Sequence, residues 1–125
     1  MLLKENRLKK MKDFDILFKE GRFVNDELVN MKIWRIEPDK YPKRDYKIED
    51  LKIGFVVSTK IVKSAVKRNR LKRQMREVVR LLLKADKLKV GFHIIIMAKV
   101  NIVGKNYSEI ESSVVNVLNK GGVLL

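Results

Sequence analysis

The chain of 125 residues has no cysteine and a single histidine, His93. Disulfides and thiolate zinc sites are thereby excluded, and one imidazole cannot make a histidine cluster for a metal. Long apolar runs are missing as well: the longest, residues 94–98, falls far short of the roughly 20 residues that span a bilayer. The N-terminal stretch MLLKENRLKK lacks the apolar region of a secretory signal. The expected compartment is therefore the cytoplasm, with no membrane partner. Acidic residues are few, 15 against 29 Lys plus Arg, which leaves a formal charge of +14. An excess of that size favours a polyanionic partner.

What is present suits a folded domain. The composition is 46% hydrophobic and 35% charged, enough apolar side chains for a core beneath a charged exterior. The length fits one domain over residues 1–125, burying about two-thirds of the unfolded surface. Residues 1–10 carry Lys4, Arg7, Lys9 and Lys10 against Glu5, with no apolar period that demands packing, and read as a basic arm. From Met11 to Glu20 a short helix is expected, because Met11, Phe14 and Phe18 share one arc with Leu17 beside them, and Gly21 can supply a left-handed stop.

Residues 28–34 alternate Val29, Met31 and Ile33 with Asn30 and Lys32, the period of a half-buried strand. Residues 37–50 hold both prolines and many charges and read as an exposed connection. A second strand over 52–58 sets Ile53, Phe55 and Val57 on one face and the smaller Gly54, Val56 and Ser58 on the other, leaving room for something to approach. Leu71, Met75, Val78 and Leu82 make a helical stripe within 64–84, with Ser64 as N-cap. Residues 91–99 are apolar on both faces, as in a central strand. A last helix over 107–118 has two possible capping pairs, Asn106 with Glu109 or Ser108 with Glu111. The order helix, strands, helix, strand, helix points to an α+β sandwich of helices on a small sheet.

Charge concentrates on the long helix. Between Lys60 and Arg80 there are nine basic residues and one acid, Glu77. With about 100° per residue, Lys72, Asn69, Arg76, Arg80 and Arg73 fall opposite the apolar stripe. Like charges at successive i,i+4 positions (Arg68, Lys72, Arg76, Arg80) repel, and phosphate would relieve that repulsion. The usual meaning of a charge run is a solvated face, but solvation predicts mixed signs, whereas this face is rich in Arg, whose planar fork suits phosphate oxygens. Contacts to about six phosphates would weaken binding by roughly three orders of magnitude between 50 and 200 mM salt.

Phe14 and Phe18 have two readings: core residues, or rings bordering a groove where they stack on unpaired nucleotides while Arg7, Lys9 and Lys10 neutralise the backbone. Trp34 is open in the same way, and Lys32 faces either water or RNA. His93, in an apolar strand, reads as structural. No nucleophile, phosphate loop or carboxylate pair suggests catalysis by the chain itself.

The segment KSAVKRNRLKRQMR, residues 63–76, resembles the RNR signature of the bacterial ribonuclease P protein component, here Arg68, Asn69 and Arg70 followed by Leu71, Lys72 and Arg73. Arg7 with Leu8, Asp13 with Phe14, Phe18, Gly21, IGFVVSTK and GFHIIIMAK extend the resemblance in order along nearly the whole chain. It implies a single-domain fold with a small mixed sheet and a left-handed crossover at the signature helix. It also implies partners: a catalytic RNA gripped by Lys60, Lys63, Lys67, Arg68, Asn69, Arg70, Lys72, Arg73 and Arg76, and precursor tRNA, whose 5′ leader lies against Arg7, Lys9, Lys10, Phe14, Phe18 and Lys32. Chemistry would then belong to the RNA and its Mg2+, with no catalytic residue and no metal ligand in the protein. Many members carry a strand tyrosine facing the leader; the nearest positions here are Met31 and Lys32. A general or ribosomal RNA binder and a DNA-binding module are the alternatives. The order of motifs favours the first reading.

Overall fold

The computed structural model describes residues 2–125 as three α-helices and a four-stranded sheet. The helices are α1 (Met11–Glu20), α2 (Ala65–Lys84) and α3 (Tyr107–Lys120); the strands are β1 (Arg22–Asn25), β2 (Val29–Arg35), β3 (Leu51–Val56) and β4 (Phe92–Ala98). Strand order is β1-β2-β4-β3, with β3 and β4 parallel and the other pairs antiparallel. The sheet is thus mixed, and α2 lies in the crossover that a parallel pair requires. The α+β class expected from the element order is the one found.

Both faces of the sheet are covered, which explains why β4 is buried from His93 to Ile96 and apolar at all positions but His93. Ile94 and Ile96 enter the larger core with Met31 and Ile33 of β2, Met75, Val78 and Val79 of α2, and Ile110, Val114 and Val117 of α3. Ile95 points the other way, into a smaller core with Ile16 and Leu17 of α1, Leu8, Trp34 and Ile36. Helix ends follow local chemistry. Ser64 Oγ accepts from the Lys67 amide at 3.3 Å, and of the two pairs available at the start of α3 the chain uses Asn106 with Glu109, in a reciprocal capping box.

Five expectations need correction. Gly21 does not stop α1 in a left-handed conformation: its φ is −72°, and a Cβ there would collide with the Leu17 carbonyl, so glycine serves close approach rather than positive φ. Strand β1 is absent from the sequence reading because only Val24 of its four residues is buried, so no alternation is visible. Residues 2–10 are not a free arm. Leu2 and Leu8 are buried, the Leu8 amide donates to the Ile53 carbonyl at 3.1 Å, and Asn6 Nδ2 donates to the Leu51 carbonyl at 2.9 Å, so the segment covers the open edge of β3. Two leucines six residues apart show no period, but each fills a core.

The fourth is the proline-bearing stretch, which is packed rather than merely exposed. Tyr41 and Tyr46 stand edge-on to Trp34, with ring centroids 5.8 and 5.5 Å away, and close the smaller core. Trp34 is accordingly a core residue, 3% exposed. Met11, placed on the apolar arc of α1, is instead exposed, and the buried positions of that helix are Asp13, Ile16 and Leu17.

Candidate nucleic-acid interface

The α1-side face of the sheet is ordered in three cross-strand rows. The register aligns Trp34 with His93 and Lys52, Lys32 with Ile95 and Gly54, and Asn30 with Met97 and Val56. The first row is roofed by Tyr41 and Tyr46 over Trp34 and His93. The second lies under α1: the Phe14 ring sits over Gly54, and Lys32 Nζ donates to the Phe18 carbonyl at 3.0 Å. The third carries partly exposed side chains, with Val56 38% exposed and Asn30 and Met97 half-buried. Phe14, half-buried over Gly54, and Phe18, 46% exposed with its carbonyl on Lys32, stand on α1 above the second row, and the sheet surface that continues past them through Asn30, Met97 and Val56 is the candidate trough. Phe14 packs against the smaller core, whereas Phe18 is an exposed ring on the same helix.

The small face predicted for β3 does leave room, and Phe14 takes up that room at Gly54. Of the two candidates at the family's strand tyrosine, Met31 is fully buried on the α2 and α3 side, against Gly121, while Lys32 stands on the α1 side.

The arm and α2 meet at β3. Arg7, Lys9, Phe14, Gly54, Lys72 and Arg76 line one cleft of about 310 Å³, four cations with no carboxylate among its walls. Arg7 is held there by its own chain, its Nε donating to the Leu2 carbonyl at 2.9 Å. Lys10, grouped with Lys9 by sequence, lies instead on the opposite flank of α1, in a cleft shared with Asp13, Arg44 and His93. Adjacent residues at the start of a helix diverge by about 100°, which is enough to part them.

The signature residues divide by flank. Lys72 and Arg76 face the arm cleft, while Lys67 and Arg70 line a second hollow of about 390 Å³ with Gln74 and Lys105. Asn69 and Arg73 occupy the exposed ridge between them. Lys60 and Lys63 are exposed in the loop before α2. Arg68 differs from its neighbours: its Nη1 donates to the carbonyls of Val62 and Lys63 at 3.0 and 2.6 Å, tying that loop to the helix. Arg80 is neutralised by Glu77 through two hydrogen bonds of 2.9 and 2.6 Å. Lys105, distant in sequence, was not foreseen; only the packing of the α3 approach beside α2 brings it to the basic surface.

His93 is buried, with neither ring nitrogen hydrogen-bonded, and burial holds its pKa below the ordinary imidazole value. A neutral, enclosed imidazole fits the structural role expected of it. Among the described residues no three His, Asp or Glu side chains converge as metal ligands, and no helix is long and apolar enough to cross a membrane.

Comparison with known proteins agrees with the motifs. Residues 2–122 match the family described as Ribonuclease P. The ribonuclease P protein component of Clostridium acetobutylicum is 34% identical over 98% of this chain and 94% of its own length. That of Pseudanabaena sp. is 34% identical over 99% and 97%. Among solved structures, the RNase P protein of Staphylococcus aureus superposes with a TM-score of 0.75 at 25% identity, covering 99% of this chain and 95% of that one. The RNase P protein of Thermotoga maritima shares the fold, with a TM-score of 0.71 at 24% identity over 91% and 96%. The chain belongs to the ribonuclease P protein family, the protein component of the ribonucleoprotein that processes tRNA 5′ ends.

Proposed function

We propose that this chain, acting as one RNA-binding domain over residues 1–125, grips the catalytic RNA of ribonuclease P through α2 and holds the 5′ leader of precursor tRNA in the trough beside α1. The observation that carries the reading is the continuity of the basic surface. Lys72 and Arg76 share one carboxylate-free cleft with Arg7, Lys9 and Phe14, so phosphates on α2 and nucleotides beside α1 meet without an intervening negative charge. Lys60, Lys63, Lys67, Arg68, Asn69, Arg70, Lys72, Arg73 and Arg76 are the RNA-binding set. Arg forks take phosphate oxygens in pairs, and Asn69 on the ridge offers a neutral hydrogen bond to a backbone or base edge.

For the leader, Phe14 and Phe18 present ring faces and edges to unstacked bases, while Arg7, Lys9 and Lys32 neutralise the passing backbone. Lys10, on the other flank, contributes to the field rather than to the trough. The protein's part in the reaction is to bind and orient; hydrolysis belongs to the RNA partner and the Mg2+ it holds. The cytoplasm, where precursor tRNA is made, is the proposed compartment.

The test is cleavage of a precursor tRNA by a bacterial ribonuclease P RNA at low magnesium, with this protein, without it, and with an unrelated protein of equal charge. Specific rescue with correct 5′ ends is expected. Rescue no better than the basic control would reduce the chain to a general RNA binder.

A further inference from the structure

The stretch between β2 and β3 grips α1 at both ends. At the first turn, Asp13 Oδ1 accepts from Arg44 Nη2 at 2.6 Å and from the Tyr46 hydroxyl at 2.7 Å. At the last turn, Glu20 accepts from Lys40 Nζ at 2.9 Å and from the Tyr41 hydroxyl at 2.8 Å. Four donors from one short segment thus converge on the two carboxylates that lie on one side of a ten-residue helix. At about 100° per residue, Asp13 and Glu20 are within about 20° of each other, while Phe14 and Phe18 lie roughly 100° to 160° further round, with buried Leu17 between.

A rigid grip on one flank therefore fixes the rotation of the other. The contact at Glu20 also opposes local electrostatics, because a carboxylate at a helix C-terminus meets the negative end of the dipole. The Lys40 and Tyr41 hydrogen bonds offset that, and they hold the Glu20 carboxyl below its ordinary pKa. Asp13, 4% exposed, lies beneath the strap.

We infer that residues 37–50 form a brace that positions α1, so that Lys40, Tyr41, Arg44 and Tyr46, acting through their hold on the helix, set how well Phe14 and Phe18 read the leader. This rests on the leader reading above. Lys40, Tyr41, Arg44 and Tyr46 are positioning residues, and their effect is confined to the preference for leader-bearing over leaderless tRNA.

The test uses the reconstituted holoenzyme and measures binding of precursor and mature tRNA side by side, with affinity for the catalytic RNA as a third reading. Glu20→Lys is the informative variant because the alternative predicts the opposite sign: replacing a carboxylate by a cation beside a polyanion tightens binding if charge alone matters. The brace predicts a loss of leader preference of about three- to tenfold, unchanged affinity for the catalytic RNA, and recovery in Glu20→Lys combined with Lys40→Glu. Equal or greater leader preference in Glu20→Lys, in a holoenzyme where Phe18→Ala does lose it, overturns the brace and leaves the leader reading standing. If neither Phe14→Ala nor Phe18→Ala changes the preference, the leader reading itself fails. Circular dichroism monitors folding. Should Glu20→Lys unfold, Lys40→Ala with Tyr41→Phe removes the same hydrogen bonds from the strap side, and its leader preference decides the matter.

Discussion

Gly54 and Phe14 fit so closely that a Cβ on Gly54 would stand 3.0 Å from Cε1 of the ring and 3.1 Å from Cζ. Glycine is needed in β3 for that approach, not for turn geometry. Gly54→Ala should force a shift of a few tenths of an ångström, and Gly54→Val a larger one that tips the ring toward the trough. Overpacking of this kind costs about 1–3 kcal/mol, with Val the worse of the two, and urea unfolding would measure it. Leader preference should fall in the same order. A Val variant with wild-type preference would mean that the ring's position is irrelevant to the leader.

Arg68 and Arg73, five residues apart in the signature, should separate in a mutational scan. Arg73 is exposed and makes no side-chain hydrogen bond or ion pair among the described residues, so Arg73→Ala should leave stability within about 0.5 kcal/mol and lower the salt dependence of RNA binding by about one phosphate contact. Arg68 holds the Val62 and Lys63 carbonyls. Its loss should weaken RNA binding and also cost about 1–2 kcal/mol, since hydrogen bonds from a charged donor are the stronger kind. Paired urea melts and salt titrations distinguish the two, and equal stability of both variants would argue against the loop tie.

The difference between these two arginines was not legible in the sequence, where both belong to one basic face. Periodicity reports which way a side chain leaves its helix, and it served well for α2, α3, the cap at Ser64 and the two-sided burial of β4; at α1 it found the helix but not its buried face, where Asp13, Ile16 and Leu17 stand and Met11 is exposed. It is silent on what arrives from elsewhere in the chain. Leu2 and Leu8 are buried because the edge of β3 accepts them, Tyr41 and Tyr46 because Trp34 and His93 offer a floor, and Lys105 joins the basic surface because α3 packs beside α2. Each of these is a long-range contact between segments that look like arm, connection or loop. The family resemblance assigned roles to the signature, but not the partition of its residues between two clefts.

A buried polar knot ties the β1–β2 turn to α3. Asp26 Oδ2 accepts from Ser113 Oγ at 2.6 Å, Ser113 Oγ accepts from the Leu28 amide at 3.0 Å, and Lys120 Nζ reaches Asp26 Oδ1 at 2.7 Å. Ser113→Ala removes the partner of a buried N–H and one partner of a buried carboxylate, a loss of about 1–3 kcal/mol. It lies on the far side of the sheet from the trough, so RNA affinity should be unchanged in the variant at temperatures where it remains folded. Urea unfolding and a filter-binding assay on the same preparation would check both halves.

His93 should make stability depend on pH in a range where few other groups titrate. Burial lowers its pKa from 6.5; of the charges around it, Asp13 and Asp50 act to raise the value while Lys52 and Arg44 lower it further. The unfolded chain therefore takes up a proton before the folded one does. By linkage, His93's contribution to stability is complete above about pH 6.5 and is lost progressively as pH falls toward the folded-state value. Asp13 and Asp26 act lower: burial raises both carboxyls, but hydrogen bonds from Tyr46 and Arg44, and from Lys120 and Ser113, outweigh it, so their contribution is lost only as pH falls below about 3.8. Unfolding free energies between pH 5.0 and 7.5 should thus slope in the wild type and flatten in His93→Phe, which keeps an aromatic ring between Trp34 and Tyr46 but removes two nitrogens that have no hydrogen-bond partner. An unchanged slope in that variant would assign the pH dependence to another group.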